Sequence, residues 1–381
     1  MKILVTGAKG FVGKNLVAEL DNISQGKCSF QGIEKGCEIL TADIDTPCET
    51  LREYCKECDF AFHLAGVNRP LDEKEFKEGN LDSLTQLIEY LKENNNSCPI
   101  ALSSSTQALL DNPYGISKRC AEEVLRDYSE QTGQKVYLFR FPGLFGKWCR
   151  PNYNSVVATF CHNTANSLEL RIDAPEKEIC LAYIDDVVRS LLCCVTDSVI
   201  KDSDGFCTVN PLYSVTLGRL AELLASFKDS REKLQVPYLS DGFERALYAT
   251  YLSYLPTNEF SYPLNTHSDY RGSFTEIIRT PDRGQFSVNI SKPHITKGNH
   301  WHHTKNEKFC VVSGQGVIRF RKIDSDEIIE YFVSGDKMEV VDIPTGYTHN
   351  IENLGDTDMV TFMWASEAFD PAHPDTYFLE V

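Results

Sequence analysis

Four side chains late in the sequence have the types and spacing of a metal site: His300, His302, Glu307 and His349. Residues i and i+2 on a strand point to the same face, so His300 and His302 project together. A carboxylate and a third imidazole arriving from neighbouring strands close a 3-His/1-Glu set. Such donors suit Zn²⁺, and equally Fe²⁺, Mn²⁺ or Ni²⁺; zinc is the expectation. The other end of the sequence opens with Lys2-Ile3-Leu4-Val5, which reads as a strand, and runs through Thr6-Gly7-Ala8-Lys9-Gly10-Phe11-Val12-Gly13 into a helix. Gly7, Gly10 and Gly13 fall at the turn where backbone approaches a dinucleotide pyrophosphate. Further on, Tyr114 and Lys118 stand four residues apart, on one face of a helix. There the ammonium lowers the phenol's pKa. One polypeptide thus carries two separate chemistries.

The elements that must position these groups follow from periodicity. Lys2–Thr6, Phe60–Leu64, Ile100–Ser103 and Val136–Arg140 read as strands, and Val12–Asp21, Leu81–Asn94 and Tyr114–Thr132 as helices. Strand-helix alternation of this kind predicts a doubly wound α/β fold with a parallel sheet. After Gly146 the pattern loosens into a small appended lobe, with helices opening at Tyr183 and Leu217. From about Tyr262 the period changes to two: Phe286–Ile290, Phe309–Val312, Val317–Arg321, Ile328–Val333 and Met359–Trp364 are separated by glycine turns. Short strands without intervening helices predict an all-β barrel or sandwich. The expected domains are residues 1–254 and 255–381, with the junction at Tyr248–Leu255 before Pro256.

Composition narrows the function classes. A formal charge of −17 over 381 residues argues against nucleic-acid and anionic-membrane partners, which need a basic face. No apolar run approaches the roughly 20 residues that span a bilayer, and the N-terminus enters a strand where a signal peptide would stand. Cytoplasm is the expected compartment. Thirteen of the 14 cysteines precede residue 210, scattered through apparent helices and strands, and the lone Cys55-x-x-Cys58 has no second pair to build a zinc site. They read as free thiols. At the end of the expected second strand, Gln31–Lys35, Glu34 suits a ribose 2′-hydroxyl and Lys35 a 2′-phosphate.

The glycine turn, His63-Leu64-Ala65-Gly66 and Tyr114-x-x-x-Lys118 together resemble the extended short-chain dehydrogenase/reductase family, whose fold is of the Rossmann type. The resemblance implies an NAD(P)-binding site at Gly7, Gly10, Phe11, Val12, Gly13, Lys35, Leu64, Ala65 and Gly66. Tyr114 is then the proton donor, Lys118 holds the nicotinamide ribose, and one hydroxyl of Ser103-Ser104-Ser105, expected to be Ser105, polarises the carbonyl. Asn80 falls in family order as a substrate contact. The interval from the serines to Tyr114 is shorter than usual for the family.

His300-x-His302-x(4)-Glu307-x(6)-Gly314 and Pro344-x-Gly346-x(2)-His349-x(3)-Asn353 match both motifs of the cupin family, a jelly-roll barrel, with His294 in place of the leading glycine. Asp269-Tyr270-Arg271-Gly272-Ser273-Phe274-Thr275-Glu276 resembles a segment of the nucleotide-linked 4-keto-sugar 3,5-epimerases. That likeness assigns Arg271, Phe274 and Glu276 to the nucleotide end of a substrate and Lys297 to a phosphate. In those epimerases the residue matching His300 is the base, whereas the cupin pattern makes it a ligand. Over its whole length the sequence resembles a family of two-domain capsular-polysaccharide enzymes, departing from it around residues 21–50. The resemblance implies a homodimer acting on a UDP-linked 4-keto-6-deoxy amino sugar on the way to UDP-N-acetyl-L-fucosamine. C3 is epimerised in the cupin, and the C4 ketone is reduced with NADPH.

Overall fold

The computed structural model describes residues 1–381, which divide into two compact units. One comprises Met1–Leu224 and Arg245–Leu255, the other Ala225–Glu244 and Pro256–Val381. In the first, β1 (Lys2–Thr6), α1 (Phe11–Ser24), β2 (Glu38–Ala42), α2 (Cys48–Glu57), β3 (Phe60–His63), the single turn α3 (Lys74–Phe76), α4 (Ser83–Glu93), β4 (Ile100–Ser105), α5 (Pro113–Thr132) and β5 (Val136–Phe141) follow in order. The strands form one parallel sheet, β2-β1-β3-β4-β5.

Alternation along each strand sorts side chains to two faces. Ile3, Val5, Phe60, Phe62 and Phe139 pack under Leu16 and Leu20 of α1. Leu4, Ala61, Ile100, Leu102 and Leu138 meet Leu87 of α4 and Leu125 of α5. Both faces are covered, which is why these strands read as nearly continuous apolar runs. Strand order reverses between β1 and β3, so the crevice at their carboxyl ends is a switch point, the usual ligand position in such sheets.

The second strand departs from expectation. It is Glu38–Ala42; Gln31–Lys35 contributes only an isolated bridge between Phe30 and Ile33. Gly32 and Gly36, at φ of 83° and 80°, turn the chain there and interrupt the strand run. A lobe of β6 (Gly143–Phe145), β7 (Glu178–Tyr183) and β8 (Tyr213–Thr216) carries α6 (Val156–Ala165) and α7 (Ile184–Val195). Helices Leu217–Glu232 and Gly242–Leu252 complete the helical part of the chain.

The second unit holds β9 (Thr266–Asp269), β10 (Gly272–Thr280), β11 (Gly284–Ser291), β12 (Thr296–Trp301), β13 (Glu307–Ser313), β14 (Gln315–Lys322), β15 (Ile328–Ser334), β16 (Val341–Ile343), β17 (Tyr347–Asn353), β18 (Met359–Ala365) and β19 (Tyr377–Phe378). Two antiparallel sheets result, β16-β13-β18-β11-β10-β9 and β15-β14-β17-β12-β19. Phe309 and Val311 of the first sheet and Ile318, Phe320 and Ile351 of the second join in one apolar core. β11 is reversed in polarity. Gln285, Ser287, Asn289 and Ser291 are buried, while Phe286, Val288 and Ile290 are only half-buried.

Candidate active site and metal centre

In the first unit, Gly7 takes φ 67° and its α-carbon lies against the backbone of Leu64 and Ala65, so the turns after β1 and β3 touch at the switch point. Gly10 caps α1 with no side-chain partner, leaving the first-turn amides of Phe11, Val12 and Gly13 aimed past the helix end. Uncapped amides and a helix dipole suit a pyrophosphate. The residues present therefore fit a dinucleotide.

The Ser-Tyr-Lys group is built by the entry to α5. Asn112 caps the helix, its side chain accepting from Gly115 N at 2.8 Å, and Pro113 opens it. A Cβ on Gly115 would stand 2.3 Å from Gln107 O, so only glycine lets the helix close on the segment after β4. That approach brings Tyr114 near enough to Ser105 for the serine to pull its pKa down against burial. Ser104 donates to Glu122, which pairs with Arg140, the Ser103 hydroxyl makes a 3.4 Å contact to His63 O while its backbone carbonyl accepts from Lys118 Nζ at 3.0 Å, and Ser105 Oγ accepts from Gln107 N at 3.2 Å, capping the turn after β4. Lys118 is 5% exposed, and burial pushes its pKa down to about 8, against the pull of Glu122.

Three expectations need correction. Lys118 does not lower the Tyr114 pKa: its ammonium sits 6.0 Å from the ring centroid, and burial raises the phenol while Ser105 pulls it the other way. Lys35 is not at the cofactor crevice. It precedes β2 and lies beside Gly26, just past the carboxyl end of α1, at the opposite end of the sheet from the glycine turn. The residue that does follow β2 is Asp43, whose carboxylate accepts from Lys9 N at 2.7 Å and Ile44 N at 2.8 Å. An acid at the end of the second strand suits a ribose diol and repels a 2′-phosphate. Asn80 is not a free substrate contact, because Nδ2 donates to Val67 O at 3.1 Å and Ser117 Oγ at 3.0 Å, while Oδ1 accepts from Val67 N at 3.0 Å. It holds the loop after Gly66 against α5.

In the second unit, His300, His302, Glu307 and His349 do converge, their donor atoms all within 4.8 Å of one another. Glu307 Oε2 lies 3.3 Å from His349 Nε2 and 3.6 Å from His302 Nε2. None of these three atoms makes a hydrogen bond, nor does His349 Nδ1, and all are buried. Burial lowers the His300 pKa to about 4, helped by His349, so the imidazole is neutral and ready to ligate near pH 7. Burial opposes ionisation of Glu307, but His302 and His349 outweigh it and hold the carboxyl below its usual range. Buried, unpartnered imidazole nitrogens around an ionised carboxylate fit a divalent transition ion.

Register places the other candidates relative to this cluster. Glu307 pairs with Ala365, Val311 with Thr361, Thr361 with Asn289, Asn289 with Phe274, and Ser287 with Glu276. Directly paired residues share a face, so Phe274 and Glu276 lie on the same inner face as Glu307. Glu276 is engaged by Arg279. Lys297 reaches from β12 to Asn289 Oδ1 at 2.8 Å and Ile290 O at 2.7 Å. Arg271 is apart from them, on the turn between β9 and β10 and paired with Asp269 at 2.7 Å. His294 has φ 57°, the left-handed conformation natural to the glycine it replaces. No helix of the chain is long and apolar enough to cross a membrane.

Residues 3–204 match the NAD dependent epimerase/dehydratase family, and residues 267–377 match the polysaccharide biosynthesis C-terminal domain. A UDP-2-acetamido-2,6-beta-L-arabino-hexul-4-ose reductase of Pseudomonas aeruginosa is 44% identical over 381 residues, covering 100% of this chain and 99% of the relative. Among solved structures, the capsular polysaccharide assembling protein CapF from Staphylococcus aureus superposes with TM-score 0.91 at 54% identity, over 100% of both chains. A UDP-glucose 4-epimerase of Thermotoga maritima, at TM-score 0.52 and 19% identity over 67% of this chain and 98% of its own, shares the fold of the first unit.

Proposed function

The chain belongs to the NAD-dependent epimerase/dehydratase family, and from that premise we propose a bifunctional nucleotide-sugar enzyme of capsular or surface polysaccharide precursor synthesis. The first unit, within the expected span 1–254, acts as a UDP-4-ketosugar reductase, and the β strands of the expected span 255–381 act as a metal-dependent cupin epimerase; the segment Ala225–Glu244, expected with the reductase, groups with the second unit. The substrate is a UDP-2-acetamido-2,6-dideoxy-4-hexulose, inverted at C3 and then reduced at C4, toward UDP-N-acetyl-L-fucosamine. The enzyme works in the cytoplasm as a homodimer. The observation that carries the reading is Tyr114 and buried Lys118 on α5 beside the Ser103–Ser105 end of β4, in a chain matching a ketosugar reductase from end to end.

A dinucleotide held by its pyrophosphate at the glycine turn would supply the hydride from its nicotinamide. Ser105 holds the C4 carbonyl oxygen, and Tyr114 gives it the proton as the alkoxide forms. Lys118 keeps positive charge beneath the ribose and the reacting oxygen. Asp43 favours NADH over NADPH, replacing the phosphate reading attached to Lys35. In the β unit, a divalent ion held by His300, His302, Glu307 and His349, with zinc first choice, supplies Lewis acidity. Because the 4-keto group acidifies C3–H, inversion precedes reduction, which removes the acidifying carbonyl. The polar inner face formed by Ser287, Asn289 and Lys297 supports a role in binding substrate and not only in packing.

The Pseudomonas relative is named for a reductase alone, which favours a second reading: a monofunctional 4-ketoreductase whose cupin is a structural, metal-binding dimerisation module. Incubating metal-replete protein with the ketosugar in D₂O without nicotinamide separates the two. Deuterium at C3, followed by NMR, is the expected result. No C3 exchange, in protein that reduces the ketosugar once the reduced nicotinamide cofactor is added, would leave the second reading standing.

A further inference from the structure

Asp375 lies far along the chain from the first metal-site residues, yet it touches their connecting loop at five points. Its carboxylate accepts from His303 N at 2.9 Å, Thr304 N at 2.8 Å, Lys305 N at 2.9 Å and the Thr304 hydroxyl at 3.1 Å. Its backbone carbonyl meets His302 Nδ1. A carbonyl can only accept, so the contact requires the proton on Nδ1, leaving Nε2 bare and facing Glu307 and His349. Lys305, 7% exposed, reaches the neighbouring Thr376 hydroxyl at 3.2 Å, so the segment is fixed at two successive residues.

We propose that Asp375 is a positioning residue for the metal cluster: its carboxylate staples residues 303–305, and its carbonyl holds His302 in the tautomer that presents Nε2 to an ion. Three main-chain donors converging on one carboxylate make a rigid seat, and a ring fixed through its outer nitrogen neither rotates nor changes tautomer when an ion arrives. The proposal rests on reading His300, His302, Glu307 and His349 as a metal site.

The test compares wild type, Asp375→Asn and Asp375→Ala. Each apoprotein is titrated with Zn²⁺ against a chromophoric chelator, the visible spectrum of its Co²⁺ form is recorded, and His302 is assigned by long-range ¹H–¹⁵N NMR. Wild type should bind one ion and show an Nδ1-protonated His302. Asp375→Ala should bind roughly 10- to 100-fold more weakly with an altered Co²⁺ spectrum, and Asp375→Asn should fall between them. If the alanine variant does not fold, the asparagine variant carries the comparison. Wild-type affinity and spectrum in both variants, or an Nε2-protonated His302 in wild type, would overturn the proposal alone. A wild-type protein that binds no ion overturns the metal reading and the proposal together.

Discussion

The two candidate sites treat their buried polar groups in opposite ways. Around Tyr114 the polar atoms are paired within the protein: Lys118 to Ser103 O, Ser104 to Glu122, Glu122 to Arg140, Asn80 to Val67 and Ser117. In the β unit, His302 Nε2, Glu307 Oε2 and both nitrogens of His349 are buried without a hydrogen bond. A buried polar atom left unpaired costs about 1–3 kcal/mol. The reductase site is therefore self-sufficient, whereas the cluster carries a standing penalty that an ion would remove. Ligand binding should accordingly change chemistry in the first unit and stability in the second.

The largest test of that contrast is Tyr114→Phe. Reduction should fall by roughly 10²- to 10⁴-fold with the loss of the proton donor, while C3 exchange in D₂O stays at the wild-type rate. Equal loss of both activities in a folded variant would end the division of labour. Stripping the metal comes next. With ion a thousandfold above its dissociation constant, the folded β unit gains about 4 kcal/mol, so chelation should lower its calorimetric transition and abolish exchange. A transition indifferent to chelator would show that the unpaired donors are not waiting for an ion.

Smaller effects probe the first unit alone. Lys118 has its pKa lowered to about 8, so it is cationic below that pH and neutral above it. If the cation supports the reacting oxygen, kcat/KM for reduction falls above about pH 8 with a slope approaching one proton, and Lys118→Met flattens the limb at a lower rate. A wild-type profile level to pH 9.5 would contradict this. The smallest effect concerns Asp43: kcat/KM should favour NADH, and Asp43→Ala should narrow the ratio to NADPH by about tenfold, the scale of a single charge contact. Preference for NADPH in wild type would reverse that assignment.

Short-range spacing was the part of this molecule most readable from sequence. The glycine turn, the Tyr114 to Lys118 interval and the His300-x-His302 pair encode geometry within a few residues, and the structure brings each together where expected. What escaped depended on distance or on counting. Two glycines with positive φ moved the second strand from Gln31–Lys35 to Glu38–Ala42, and so exchanged Lys35 for Asp43. The signal was present, since Asp43 directly follows the short apolar run Ile39-Leu40-Thr41-Ala42. Asn80 carries no local mark of its link to Val67, and Asp375 none of its link to residues 303–305. For β11 the alternation was legible but not its direction, because a two-residue period describes both faces equally.

The inverted strand has a consequence for laboratory evolution. Thr361 is fully buried opposite Asn289 with its hydroxyl unpartnered, and Ser287, two pairs along, makes only a 3.5 Å contact to Met363 O. Valine at position 361 would match the threonine in shape and shed the desolvation cost of the hydroxyl, so selection for heat resistance alone would drift toward aliphatic residues on this face. Each such gain would make the inner face shared with Glu307 more apolar. A library sorted only on thermal tolerance should therefore enrich proteins that fold better and turn over less ketosugar, and the substitutions it enriches would trace the polar inner face.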